Sequence, residues 1–447
     1  MKKTIVIFYS KGYYDQLAIS LQEYFSSKKE LVNAVLIDED DYSNFHFASF
    51  CRGMYKFSTR NTPVINSLVA FFTKPFYERR IKSSFKEENQ KDKKIEENAQ
   101  TPKNENEPIN VTEPNKIDAI EKKTNETIKG IKQRFRQADI IIKRFNPDLI
   151  ICTTAHSLKK VLKAKERLQS GVLVYSAISD FYAHNGFILK GVDKYLVSTT
   201  YAKQGLIPFG IPEENIEVIG MPSRKGIDRE YDKDEVLTSL GVTNKELPNI
   251  VLAGGRYGSA RIKTALKDVA LFSDKANIII LADKSETVHT FAKSFCKSAK
   301  INENVYIIDS IDDIAKLYSI ADCVVCNATT YLVYEALCRE IPVVLTSPID
   351  YREQGNYDFL TTNGYCLVGS DSEKLNSALY TIIQKGPTYD DYKAHIKNIF
   401  IKDSSKKFGK YVLDELDKVA VVKNIETKSE EKVEENIEEN SKENKND

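Results

Sequence analysis

The chain has 447 residues, enough for two ordinary domains that each bury a core of their own. Its 65 Lys and Arg residues stand against 64 Asp and Glu, a formal net charge of +1, so no global field points to nucleic acid. Its seven cysteines are scattered and no apolar run approaches the roughly 20 residues that span a bilayer, which sets aside a disulfide scaffold and a helical membrane protein.

The first residues, MKKTIVIFYSKGYY, read as a buried strand over Thr4–Tyr9. The apolar run is too short for a signal peptide and leads into charged helix without a cleavage site. A helix over Asp15–Phe25 and a strand over Ala34–Ile37 follow. Tyr42–Lys82 then brings together aromatics, among them Phe71 and Phe72, and basic residues, among them Arg79, Arg80 and Lys82, against the single acid Glu78. Aromatic bodies with basic neighbours suit the headgroup boundary of an anionic membrane, where each Lys or Arg contributes about 1 kcal/mol. The other reading is that the aromatics pack a domain and the basic residues solvate its rim. Lys86–Thr127, rich in Lys, Glu, Asn and Gln, buries too little apolar surface to offset its ordering entropy and reads as a disordered or loosely helical insertion. The tail Lys423–Asp447 is of the same kind.

Beyond the insertion the pattern alternates: a helix over Ala138–Phe145, a strand over Leu149–Thr153, a helix over Leu158–Leu168, and strands over Val172–Ile178 and Lys194–Val197. Gly226 to Leu247, charged and rich in turn residues, reads as a hinge. Strands over Ile250–Ala253, Asn277–Leu281, Val305–Ile308, Cys323–Val325 and Val343–Leu345 then alternate with helices. Such alternation predicts parallel sheets. The expected organisation is an N-terminal domain from residues 1–85 and 128–225, interrupted by an insertion at 86–127. A C-terminal domain at 226–400, a helix at 401–422 and a tail at 423–447 complete the chain.

The richest stretch, Cys323–Asn356, reads CVVCNATTYLVYEALCREIPVVLTSPIDYREQGN. A strand runs into a small-residue turn at Asn327–Thr330, and a helix carrying Glu335 follows. In an open α/β sheet, ligands sit outside the carboxyl ends of the strands, and a turn opening a helix there offers backbone N–H groups to a phosphate. Thr329 and Thr330 are placed for that role, Glu335 suits a ribose diol, and a polar loop bearing Glu353, Gln354 and Asn356 suits sugar hydroxyls. Leu252-Ala-Gly-Gly-Arg-Tyr-Gly258 supplies a second wall: Gly254, Gly255 and Gly258 let amides approach a pyrophosphate, and Arg256 can add a charge-assisted contact. Cys323-x-x-Cys326 lacks a second pair or a nearby histidine and reads as strand packing rather than metal ligation.

Tyr334-Glu335-Ala336-Leu337, Pro348-Ile349 through Glu353 and Asn356, and the element Gly210 to Pro222 resemble GT-B glycosyltransferases. The similarity is to the family of monogalactosyldiacylglycerol synthases and processive diacylglycerol glucosyltransferases and, more distantly, to the lipid II-forming N-acetylglucosaminyltransferase. The resemblance implies two doubly wound Rossmann-like domains facing across a cleft. It implies transfer of a hexose from a UDP-sugar to a lipid acceptor such as diacylglycerol, without metal or cofactor, at the cytoplasmic face of the cell membrane. It places base recognition at Ser310 and Ile311, and sets Asp15 where the family has a histidine that serves as acceptor base. Asp15 can act as that base or as a helix N-cap. Ser179-Asp180-Phe181-Tyr182-Ala183-His184 resembles the family's Thr-Asp-x-x-x-His element, so Asp180 and His184 join the catalytic candidates; a turn cap and a loop histidine are the alternative. A silent scaffold binding nucleotide-sugar or membrane and a UDP-sugar 2-epimerase are the rival readings.

Overall fold

The structure, a computed structural model, describes residues 2–10, 15–39, 137–224, 226–254, 259–282, 285–301, 303–311, 313–348 and 351–420. Two parallel sheets organise them. The first contains β1 (Lys3–Tyr9), β2 (Val32–Asp38), β3 (Leu149–Cys152), β4 (Leu173–Ile178), β5 (Lys194–Val197) and β6 (Ile216–Val218), in the order β2-β1-β3-β4-β5-β6. The second contains β7 (Asn249–Ala253), β8 (Asn277–Leu281), β9 (Val305–Ile308), β10 (Cys323–Cys326), β11 (Val343–Thr346) and β12 (Leu367–Gly369), in the order β12-β11-β10-β7-β8-β9. Strands β3, β7, β10 and β11 are buried at every residue, as expected of strands covered by helices on both faces.

The helices are α1 (Asp15–Ser26), α2 (Gln137–Phe145), α3 (Ala155–Leu168), α4 (Thr200–Leu206), α5 (Lys233–Ser239), α6 (Ser259–Val269), α7 (Glu286–Ala299) and α8 (Ile314–Ile320). After them come α9 (Thr330–Cys338), α10 (Tyr351–Thr362), α11 (Ser372–Gln384), α12 (Pro387–His395) and α13 over residues 404–420. Several start where side chains cap them: Thr154 accepts from the Ser157 amide at α3, Thr199 from Ala202 at α4, and Asp371 from Lys374 at α11. The last helix returns to the first sheet. Phe408, Val412 and Leu416 pack with Leu17, Leu21 and Leu149, and a Cβ at Gly409 would lie 2.0 Å from the Tyr24 ring, so α13 approaches α1 as closely as glycine allows.

Strand order locates the crevices. Each sheet reverses its winding once, between β1 and β3 in the first and between β7 and β10 in the second. The reversal parts the loops that leave neighbouring strands, and the resulting gap lies at the carboxyl ends.

Two expectations are corrected. The stretch expected as a polar loop is helix α10, with Glu353, Gln354 and Asn356 in its first turns. Its inner face carries Glu353, Asn356 and Leu360 at helical spacing, so the buried stripe is half polar and lacks the apolar periodicity of an ordinary amphipathic helix. The segment from Gly226 to Leu247 contains α5, whose Val236 and Leu237 are buried in the core of the second sheet, so much of it is domain rather than hinge. Tyr42–Lys82, Lys86–Thr127 and Lys423–Asp447 lie outside the described residues, and with them the membrane candidates Phe71, Phe72, Arg79, Arg80 and Lys82.

Candidate active site in the interdomain crevice

In the second sheet, β7 runs out into buried Gly254 beside the end of β10, whose Val325 pairs with Leu252. From β10 the chain makes a tight turn in which the Thr329 amide donates to Asn327 O at 2.6 Å. Thr329 is the N-cap of α9, at φ −74° and ψ 139°, yet its side chain makes no capping bond. The Thr329 Oγ1 is buried without a partner among the described residues, as is Oδ1 of buried Asn327. The first-turn N–H groups of α9 and the positive end of its dipole therefore face the gap between β7 and β10 without a side-chain acceptor from their own N-cap. This arrangement suits a phosphate or diphosphate.

The acids around this turn are all engaged. Glu335, one turn into α9, is fully buried. It accepts from the Arg224 amide at 3.1 Å, from Arg224 Nε at 3.0 Å and from Arg224 Nη2, and Tyr318 donates to it at 3.4 Å. Burial, with the Glu335 charge beside it, pushes the Tyr318 phenol well up, so this hydroxyl stays a donor. Glu353 is buried and accepts from Asn327 Nδ2 at 2.6 Å, which ties α10 to the β10 turn.

Asn356 joins the two domains. Its Oδ1 accepts from the Phe181 amide at 3.0 Å, and its Nδ2 donates to Asp180 Oδ1 at 3.2 Å. Thr330 Oγ1 donates to the same carboxylate oxygen at 3.2 Å. Phe181 is fully buried among Tyr334, Phe359 and Phe400 of the opposite domain, with ring centroids 5.5–6.3 Å apart. Beside it, a Cβ at Gly355 would stand 2.3 Å from the Tyr182 ring. The carboxyl edges of the two sheets thus face each other across a joint with an apolar plug and a charged hydrogen-bond cluster.

The monogalactosyldiacylglycerol (MGDG) synthase family matches residues 117–222, and the glycosyl transferases group 1 family matches residues 241–399. A processive diacylglycerol β-glucosyltransferase of Bacillus licheniformis is 22% identical over 271 residues, which cover 61% of this chain and 70% of that one. Among solved structures, MurG of Acinetobacter baumannii superposes with a TM-score of 0.54 at 14% identity, covering 93% of this chain and 99% of that one. A UDP-GlcNAc 2-epimerase from Neisseria meningitidis bound to UDP-GlcNAc gives 0.52 at 12% identity, covering 93% and 99%. The two structural likenesses show the fold; the family matches, one to each half, and the curated relatives support transferase activity. The chain is a GT-B glycosyltransferase.

In this transferase the structure gathers Gly254, Thr329, Thr330, Glu335, Glu353 and Asn356 around one crevice. Gln354 points away, donating to Asp358 at 2.7 Å on the exposed face of α10. Ser310 and Ile311 follow β9, Ser310 exposed and Ile311 packed against the core, while neighbouring Asp309 pairs with His289 at 3.4 Å. Gly255, Arg256 and Gly258 lie outside the described residues. Asp15 opens α1 just beyond the β1 exit. His184 accepts from the Gly186 amide through Nδ1 at 3.1 Å and lies against Phe187. A neutral imidazole with Nδ1 accepting carries its proton on Nε2, so His184 in this pose has no free lone pair for a base. Asp180, the other catalytic candidate of this segment, is fully buried and accepts from Asn356 and Thr330.

Sequence reasoning missed Arg224, Asn327 and Phe181. Arg224 follows the element Gly210 to Pro222, and only its closeness to Glu335 in space reveals the pair. Among the described residues, no three His, Cys, Asp or Glu side chains group as a metal site, and no helix is long and apolar enough to cross a membrane.

Proposed function

We propose that the enzyme transfers a hexose from a UDP-sugar to a hydroxyl of diacylglycerol, or of a glycosylated diacylglycerol, at an anionic membrane surface. The observation that carries the donor half is the uncapped start of α9, with its buried unpartnered Thr329 hydroxyl, at the switch point of the second sheet. A UDP diphosphate seated there lies against backbone N–H groups that stabilise the charge growing on the leaving group, electrostatic help from preorganised dipoles that requires no metal. Glu335 stands one turn further in, at the reach of a ribose diol, and exchanges part of its bonding with Arg224 for the ribose hydroxyls. Glu353 and Asn356 line the side where the hexose projects. Base recognition falls to the turn at Ser310 and Ile311.

The acceptor half rests on sequence and on the relatives. MGDG synthase and processive diacylglycerol β-glucosyltransferase are names of lipid-directed enzymes. The composition of Tyr42–Lys82, aromatic and basic, is of the kind an anionic leaflet attracts, and it supports a peripheral position on the inner face of the cell membrane. With Asp180 committed to the joint and His184 in its Nε2–H form, Asp15 is the candidate that deprotonates the acceptor hydroxyl. Incubation with labelled UDP-glucose or UDP-galactose and diacylglycerol in anionic vesicles, with and without EDTA, tests the reading. A labelled glycolipid in both conditions is expected. Conversion of a UDP-N-acetylhexosamine to its epimer, with no glycolipid from either donor, would replace the reading by the epimerase.

A further inference from the structure

The turn between β10 and α9 holds a second unsatisfied atom, of different chemistry from the Thr329 hydroxyl. Asn327 is the first residue beyond β10 and is only 1% exposed. Val325 pairs with Leu252 and Cys326 with Leu345. Continued past the strand ends, that register sets Asn327 between Gly254 at the exit of β7 and Thr346 at the end of β11. Its amide nitrogen donates to Glu353 Oε1 at 2.6 Å, while its Oδ1 is buried with no partner among the described residues.

Chemistry fixes which end of this amide is which. An ionised carboxylate only accepts, so turning the amide over would press two oxygens together. Glu353 therefore holds the nitrogen toward α10, which follows β11 on one side of β10. The oxygen, on the other arm of the amide, turns away from α10 to the side of β7 and the crevice. A buried carbonyl oxygen with no hydrogen to accept costs free energy, and folded proteins keep few of them. Two residues on, the orphan Thr329 hydroxyl and the first-turn amides of α9 can all donate to a phosphate oxygen. Asn327 Oδ1 can only accept. It repels a phosphate or carboxylate oxygen and holds a group that brings a hydrogen.

We propose that Asn327 Oδ1 receives a hydroxyl hydrogen of the donor hexose, and that Glu353 is the positioning residue that keeps this oxygen turned to the crevice. The turn then sorts the donor along its length, with the diphosphate at Thr329 and the start of α9 and the neutral sugar at Asn327. The negative charge of Glu353 polarises the amide it accepts from, which makes the free oxygen a stronger acceptor. A sugar whose carboxylate would fall at this place is excluded. This rests on the UDP-sugar reading above and adds to it a contact outside the residues first assigned to the hexose.

Exchanging the pair separates recognition from architecture. Asn327→Asp/Glu353→Gln keeps the net charge, the bond between the two positions and an acceptor facing the crevice. Asn327→Leu/Glu353→Gln keeps the shape and strands no charge, but lacks the acceptor. Calorimetric titration of the full-length variants with UDP-glucose, UDP-galactose and UDP reads the difference, with melting temperatures to confirm folding. The exchanged pair should bind whichever UDP-hexose the parent binds, within twofold of the parent. The leucine variant should bind it at least fivefold more weakly, and both should keep the parent's affinity for UDP. If the leucine variant does not fold, Asn327→Ala/Glu353→Gln, smaller and equally uncharged, takes its place with the same expectation. UDP-hexose affinity unchanged without the acceptor, a loss shared equally by UDP, or a fivefold loss in the folded exchanged pair overturns the assignment and leaves the donor pocket standing. A parent that binds neither UDP nor UDP-hexose overturns the donor reading, and this contact with it.

Discussion

Removing either partner of the Arg224–Glu335 pair should have opposite consequences for stability and for donor binding. The Glu335 carboxylate is wholly buried, whereas the Arg224 side chain is 35% exposed. Arg224→Ala strands a buried anion, and breaking a buried pair that way costs about 3–5 kcal/mol. Glu335→Gln keeps the shape and leaves a guanidinium that can turn into water, so its cost is nearer 1–2 kcal/mol. The double variant should fall well short of the sum, with a coupling energy of about 2 kcal/mol in a thermodynamic cycle. UDP binding should follow the reverse order. Glu335→Gln removes the ribose acceptor and weakens UDP by about 1–3 kcal/mol, whereas Arg224→Ala frees that acceptor and leaves affinity at or above the parent value. Urea unfolding and calorimetric titration with UDP measure both quantities on the same preparations. If Glu335→Gln binds UDP like the parent, or Arg224→Ala unfolds no more readily than Glu335→Gln, the reasoning about this pair is wrong.

The remaining perturbations probe other joints of the account. Gly355→Ala places a methyl 2.3 Å from the Tyr182 ring, so it should shift the domain joint and lower kcat severalfold. Its net change in stability should stay under about 2 kcal/mol, because overpacking is partly offset by the better helix propensity of Ala. An unchanged kcat would mean the joint is not part of the working conformation. Replacing Arg79, Arg80 and Lys82 together by Ser should reduce flotation with anionic vesicles, each charge contributing about 1 kcal/mol. Flotation equal to the parent would remove that segment from the membrane surface.

The fold was legible because its signals are local and redundant. Strands such as Leu149–Cys152 and Cys323–Cys326 are continuous apolar runs, which parallel sheets covered on both faces demand, and they alternate with helices of ordinary length. The turn before α9 was legible for the same reason, since strand, small residues and helix follow one another within Cys323–Cys338. What the sequence hid is held by pairs far apart in the chain. Arg224 and Glu335 are 111 positions apart, and Asp180 and Asn356 are 176 apart, so nothing in either neighbourhood announces the bond. Helix α10 was read as loop because its buried positions include a carboxylate and an amide, satisfied by Asn327 within the domain and by Asp180 across the joint, and neither partner is visible in the local sequence. Asp180 was read as a catalytic candidate from its resemblance to the Thr-Asp-x-x-x-His element, and its bonds to Thr330 and Asn356 across the domain joint were not legible there.

The start of α9 is the centre of the account, and Thr329→Asp tests it most directly. At φ −74° and ψ 139°, position 329 has N-cap geometry, so aspartate there should cap the helix and hold or raise the melting temperature. The same carboxylate would sit where the diphosphate is placed. The account predicts one UDP per chain in calorimetric titration of the parent and an affinity at least tenfold weaker, about 1.4 kcal/mol or more, in the folded variant. Equal UDP affinity in parent and variant would contradict it and move the donor out of the crevice between β7 and β10.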